Sequence, residues 1–161
     1  MAINMTIDNT HAVCFPSKLV AGNGGEHIVN LFLTADRDNG TIRGIGAWKD
    51  FDRYTEANAP GSFAGTIVAQ AANGNYYIQV DTPADAVLIY EVPEFTNTYD
   101  SRFTDLHNWY NPKDATVRAY VLHKYDIFEV SKEAFTTEIA STDIGKSVSA
   151  VAATGKLVIG N

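Results

Sequence analysis

Short apolar segments alternate with turn clusters along most of this chain, and no window of eleven or more residues carries a convincing helical stripe. Ile28 to Leu33, Thr41 to Ile45, Gly65 to Ala69, Tyr76 to Val80 and Ala86 to Tyr90 read as strands. So do Val117 to Leu122, Asp126 to Val130, Ser147 to Val151 and Lys156 to Ile159. Asn39-Gly40 and Asn73-Gly74 sit between consecutive pairs, and Asn-Gly suits the type I′ turn of a hairpin. A closing hairpin is expected to turn near Thr154-Gly155. The expected fold is therefore all-β: a single-domain β-sandwich or barrel of about eight or more short, mostly antiparallel strands. Phe51 to Glu56 and Ser101 to His107 are read as single helical turns. Residues 1–25 are weakly patterned and read as an N-terminal arm with a short strand, ahead of a β-rich domain over residues 26–161.

A chain of 161 residues supports one domain with its own core and needs no disulfide to fold. Cys14 is the single cysteine, so no intrachain disulfide exists. It reads as a small buried apolar residue. The formal charge of -7 argues against nucleic acid, whose phosphates call for clustered Lys and Arg. An acidic surface favours a basic partner instead. No apolar run approaches the ~20 residues of a membrane span, and no signal-peptide pattern opens the chain. The expectation is a protein made in a cytoplasm, without membrane contact; the acceptor patterns at Asn4 and Asn39 then carry no weight.

Recognisable catalytic and cofactor motifs fail on inspection, and only a spatial pair among the nineteen acidic residues, as glycoside hydrolysis uses, stays open. Gly22-Asn23-Gly24-Gly25 is followed by a β-branched strand, where a phosphate cradle needs a helix N-terminus. A calcium loop starting at Asp36 would need Gly at its sixth position and Glu at its twelfth; Thr41 and Ala47 stand there. His11, His27, His107 and His123 form no zinc spacing and read as surface or capped histidines. No Gly-x-Ser-x-Gly elbow is present. The expectation is no enzyme, no cofactor and no metal. Two aromatic groups stand out: Trp48, Phe51 and Tyr54, and Trp109-Tyr110 with Phe95, Tyr99 and Phe103 in the long connection from Thr96 to Asp114. Such rings cap open core ends or anchor a partner or a sugar.

Several segments together carry a resemblance: Ala86-Val87-Leu88-Ile89-Tyr90-Glu91-Val92-Pro93, Arg102-Phe103, Trp109-Tyr110-Asn111, Val117 to Leu122, Asp126 to Val130 and Ile144-Gly145-Lys146. Over residues 85–159 the chain resembles capsid decoration (cement, or auxiliary head) proteins of tailed bacteriophages. Tyr125 stands where that family commonly has Gly. The resemblance implies a virion structural protein that binds the major capsid protein on the outside of the shell. It implies subunits that sit as monomers or as a homo-oligomer, a trimer at symmetry axes. Phe15, Pro16, Trp48, Trp109 and Tyr110 are the expected partner contacts, with Phe15 and Pro16 as apolar anchors of the arm. A carbohydrate-binding or host-surface adhesion module is the alternative, resting on the Trp48 and Trp109-Tyr110 groups.

Overall fold

The computed structural model describes residues 7–25, 27–95 and 101–160. Among these, eleven strands run in chain order: β1 (Cys14–Lys18), β2 (Ile28–Phe32), β3 (Ile42–Asp50), β4 (Arg53–Ala57), β5 (Ala64–Gln70) and β6 (Tyr76–Thr82). β7 (Val87–Ile89), β8 (Thr116–Val121), β9 (Ile127–Val130), β10 (Ser147–Ala150) and β11 (Leu157–Ile159) complete the set, with a few 3-10 turns between them. No described helix is long and apolar enough to cross a membrane. The strands form a six-stranded sheet in the order β1-β9-β6-β5-β10-β11 and a closed barrel in the order β2-β4-β3-β7-β8. Sandwich and barrel therefore coexist. Every pairing is antiparallel except β2 with β4.

Two apolar cores explain the arrangement. The larger lies between sheet and barrel and holds Ile67, Ile78, Val80, Phe128, Val130, Val148 and Leu157 from the sheet with Ile42 and Leu88 from the barrel. The smaller holds Leu31, Leu33, Val87, Ile89, Val117 and Ala119, and its strands all belong to the barrel or adjoin it. Period-2 alternation decides which core a residue joins. On β7, Val87 and Ile89 enter the barrel cluster while Leu88 enters the inter-sheet cluster. A strand buried on both faces reads as an unbroken apolar run, as Ala86 to Ile89 does.

A hairpin forms at Asn73-Gly74, where β5 pairs β6 antiparallel; Gly74 is at φ +89 but Asn73 has no positive φ, so its turn is not the type I′ turn expected. The hairpin at Asn39-Gly40 does not form. β2 pairs β4 and β8 instead, and β3 pairs β4 and β7. Gly40 takes φ +87, but Asn39 has no positive φ, so a type I′ turn is ruled out. Asn39 is buried, and its side chain donates to Glu91 O (2.9 Å) and accepts from Glu91 N and Asn111 Nδ2. An amide that bridges two other chain segments in this way cannot serve as a solvated turn tip. The segment from Phe51 to Glu56 is likewise no helical turn; Phe51-Asp52 forms a tight turn and Arg53 opens β4.

Residues 12–21 are built into the body. Ala12, Cys14 and Leu19 enter the inter-sheet core, and β1 is an edge strand paired to β9. Burial, and then the charge of Glu129, push the Cys14 thiol well above its ordinary value, so it stays protonated and inert. Two 3-10 turns, Ser101–Phe103 and Leu106–Asn108, match the expected helical turns. Tyr99 and the Asn4 acceptor pattern lie outside the described residues.

Candidate interaction surface

Among the described residues, the most exposed large apolar side chain is at the β3–β4 turn. Phe51 is 90% exposed and its backbone sits at φ +49, a region in which a bulky residue is strained. The turn is braced on both sides. Arg53 donates to both carboxylate oxygens of Asp50, and Asn30 donates to Asp52. Lys49 lies over the Phe32 ring at 4.2 Å, with the Arg53 guanidinium 5.5 Å from the same centroid. Trp48 is 55% exposed and meets Tyr54 edge-on at 5.0 Å. Tyr54 packs on the barrel core, which anchors the pair. An ordered hairpin thus carries an exposed Phe and a half-exposed Trp at its end.

Strain at that position gives a direct expectation. Phe51→Gly removes an unfavourable backbone contact and no packing, and should raise stability by about 1 kcal/mol. Chemical denaturation of the two proteins checks this; a destabilised glycine variant would show that the ring packs in solution.

A second feature is an open groove of about 380 Å³ between β1 and the barrel. Pro16, Leu19, Tyr90 and Tyr120 line it, and the two tyrosine rings lie 6.2 Å apart. Phe15 borders the same groove. Pro16 has no N–H to offer on the edge strand, which discourages another strand from pairing there. The outer face of the six-stranded sheet begins at Phe15, which is 36% exposed. Pairing of Phe15 with Glu129, and of Glu129 with Tyr77, puts all three on one face. Ile127 and Gln79, themselves paired, lie two residues along the same strands on that face. Threonine and serine continue it at Thr66 and Ser147.

Trp109 and Tyr110 are placed differently from Trp48. Trp109 is 6% exposed and meets Phe95 edge-on at 6.0 Å, so it is buried and not presented to a partner. Tyr110 stacks on His11 at 5.0 Å. His11 Nδ1 sits 2.6 Å from Asp38 Oδ1, and Asp38 also accepts from Ala12 N. His107 lies against Asp105 and Glu133, and His123 against Asp126. His11 and His107 are capped by carboxylates, whereas His123 Nδ1 stays 3.8 Å from Asp126 and its ring meets His27 edge-on. A polar cleft of about 330 Å³ opens beside His11, Arg37, Asp38, Thr154 and Lys156. Arg37 in it is turned to Glu56. Among the described residues no group of three or more His, Cys, Asp or Glu side chains is arranged to hold a metal.

Of the five expected contacts, Phe15 and Pro16 adjoin one another at the groove, Trp48 stands apart on the hairpin, and Trp109 and Tyr110 belong to neither surface. Tyr90, Tyr120 and Tyr77 were not legible as surface residues, because alternation alone does not say which face of a strand lacks a covering layer. No protein family, curated protein or solved structure matches this chain.

Proposed function

We propose that this chain is a virion structural protein that decorates and stabilises the outside of a bacteriophage capsid by binding the major capsid protein. The supporting observation is the uncovered outer face of the six-stranded sheet, with Phe15 at its rim. A broad sheet face suits a lattice because shallow contact is repeated many times over, and repetition multiplies modest affinity. Apolar rings among small polar residues are the usual composition of a protein-binding patch. The resemblance over residues 85–159 supplies the partner, and the net charge of -7 disfavours nucleic acid as the target. On this reading the chain acts by binding, at the capsid surface.

Cosedimentation with purified phage heads tests it. Wild-type protein should pellet with heads, and Phe15→Asp should weaken the binding by about tenfold, the loss of one buried ring. A protein absent from purified virions ends the proposal. The glycan-binding alternative now rests on Trp48, since Trp109 is buried. A glycan array separates the two readings: a sugar bound by wild type and lost in Trp48→Ala favours adhesion.

A further inference from the structure

The chain holds three Asn-Gly steps, at Asn23, Asn39 and Asn73. We infer that Asn23 is a self-modification site: its side-chain amide condenses with the Gly24 backbone nitrogen, and water then leaves an aspartyl or isoaspartyl residue in the groove beside Pro16. The inference goes beyond capsid binding and holds for the isolated protein.

The step uses only water. The Gly24 nitrogen attacks Cγ of Asn23, a C–N bond forms, and ammonia leaves with the proton from that nitrogen. The product is a cyclic imide. Water adds to one of its carbonyls and opens the ring. Opening on one side gives aspartate. Opening on the other routes the main chain through the side-chain carbon, as isoaspartate. A following glycine favours attack, because it has no Cβ to hinder the approach and its backbone turns freely. What then sets the rate is whether nitrogen and amide can reach each other. Hydrogen bonds to either group must break first.

Those bonds differ among the three sites. Asn39 is held most firmly. It is buried, its amide donates to Glu91 O at 2.9 Å, and it accepts from Glu91 N and Asn111 Nδ2. Gly40 N donates to Ile89 O at 2.8 Å, and a carbon added at Gly40 would lie 3.0 Å from a Val130 methyl carbon. Asn73 is exposed but tied. Its amide donates to Glu129 Oε1 at 2.9 Å and accepts from Asn75 N, while Gly74 N donates to Ala71 O at 3.0 Å.

Asn23 and Gly24 are exposed, and neither the Asn23 side chain nor the Gly24 N–H has a hydrogen-bond partner among the described residues. Carbons added at Gly22, Gly24 and Gly25 would each meet nothing within 4 Å, so no packing holds the segment. Asn23 N does donate to Val20 O, at the end of the 3-10 turn Val20–Gly22. Its backbone is extended, at φ -86 and ψ 103. Rotation about the Cα–C bond, beyond that anchor, swings Gly24 N toward the amide. Asn23 lines the groove with Pro16, Tyr90 and Tyr120, so the reaction sets a negative charge there.

Incubation of the native chain at mildly alkaline pH, followed by anion exchange and peptide mapping by mass spectrometry, tests the inference. The expected order is Asn23, then Asn73, then Asn39. Asn23 should convert at least about tenfold faster than Asn39 and severalfold faster than Asn73. In urea the three rates should draw together, since glycine follows each asparagine. Asn23→Gln should remove the early acidic form, because its longer side chain closes a larger ring more slowly. Conversion first at Asn39 or Asn73 overturns the inference. So does an early acidic form that survives Asn23→Gln, or an Asn23 that converts in urea and stays intact in the native chain. Capsid binding is read separately through Phe15→Asp, so failure of either idea leaves the other standing.

Discussion

Replacing Glu56 by glutamine is expected to destabilise the fold by about 3–5 kcal/mol, the cost of leaving buried charges uncompensated. The Glu56 side chain is fully buried at the seam of barrel and sheet. It receives Arg37 Nε at 3.0 Å, Arg43 Nε at 3.0 Å, and both the N–H and the hydroxyl of Thr34. Arg43 also donates to the carbonyls of Ala152 and Ala153 in the last hairpin. One carboxylate is thus the shared counter-charge of two guanidiniums, and the Ala152 and Ala153 carbonyls take up further donors of Arg43. A glutamine keeps the volume and loses the charge. Urea unfolding measures the difference, and a loss under 1 kcal/mol would show that water or relaxation satisfies the arginines.

The same site sets an acid limit. Burial by itself pushes the Glu56 carboxyl up, but hydrogen bonds from Arg37 and Thr34 and the charge of Arg43 outweigh it, and the group ends below its ordinary value. A carboxyl held lower in the folded than in the unfolded chain stabilises the fold above its unfolded pKa, near 4.3. That contribution is lost as the pH falls through the folded value. Wild type should therefore lose stability below about pH 4, and Glu56→Gln should show a shallower acid slope. Equal slopes in the two proteins would assign the acid sensitivity to other carboxylates.

Gly155→Ala should cost about 3–5 kcal/mol, since a strained backbone and a close contact add together. Gly155 turns the last hairpin at φ +74, and its carbonyl accepts from Ile42 N at 2.9 Å. A Cβ there would come within 2.3 Å of Ile42 O and 2.5 Å of a Thr41 methyl carbon. The clash is with backbone, so no side chain can swing away. The barrel and the hairpin must separate, and the hydrogen bond to Ile42 goes with them. For a chain of this size the melting point should fall by roughly 6–20 °C. Gly74→Ala is the control: its φ is also positive, +89, but nothing lies within 4 Å of the added carbon. If the two variants melt together, the close approach at Gly155 has no energetic weight.

The comparison of sequence with structure divides along local and non-local lines. Strands such as Tyr76–Thr82 and Thr116–Val121 were legible because alternation and turn residues act within a few positions. Asn73-Gly74 behaved as a hairpin because its two flanks, β5 and β6, pair with each other directly across it. Asn39-Gly40 has the same two residues, yet Leu33 N bonds to Ala115 O and Arg37 N to Asn111 O, which draws the segment across the molecule. Pairing partners more than seventy residues away leave no local mark. The parallel pairing of β2 with β4 was hidden too, because β3 lies between them in the chain and the segment that opens β4 reads as a helical turn.

The surface divides in the same way. Composition marked the Trp48–Phe51–Tyr54 group as worth attention, and the tight turn made Phe51 its most exposed member. Trp109 carried an equal signal and proved to be buried, with Phe95 lying against it. The groove beside Pro16 required β1, the residues after β7, and β8 to converge.

By itself, then, the sequence determined an all-β chain of acidic composition and the positions of nine of its eleven described strands, all but β1 and β4, since these follow from side-chain chemistry within short windows. Tertiary structure alone decided that the strands divide into a sheet and a closed barrel, and which residues face solvent. Those outcomes depend on which distant segments satisfy one another's backbone groups, and closure of a barrel is a global condition that no short window contains.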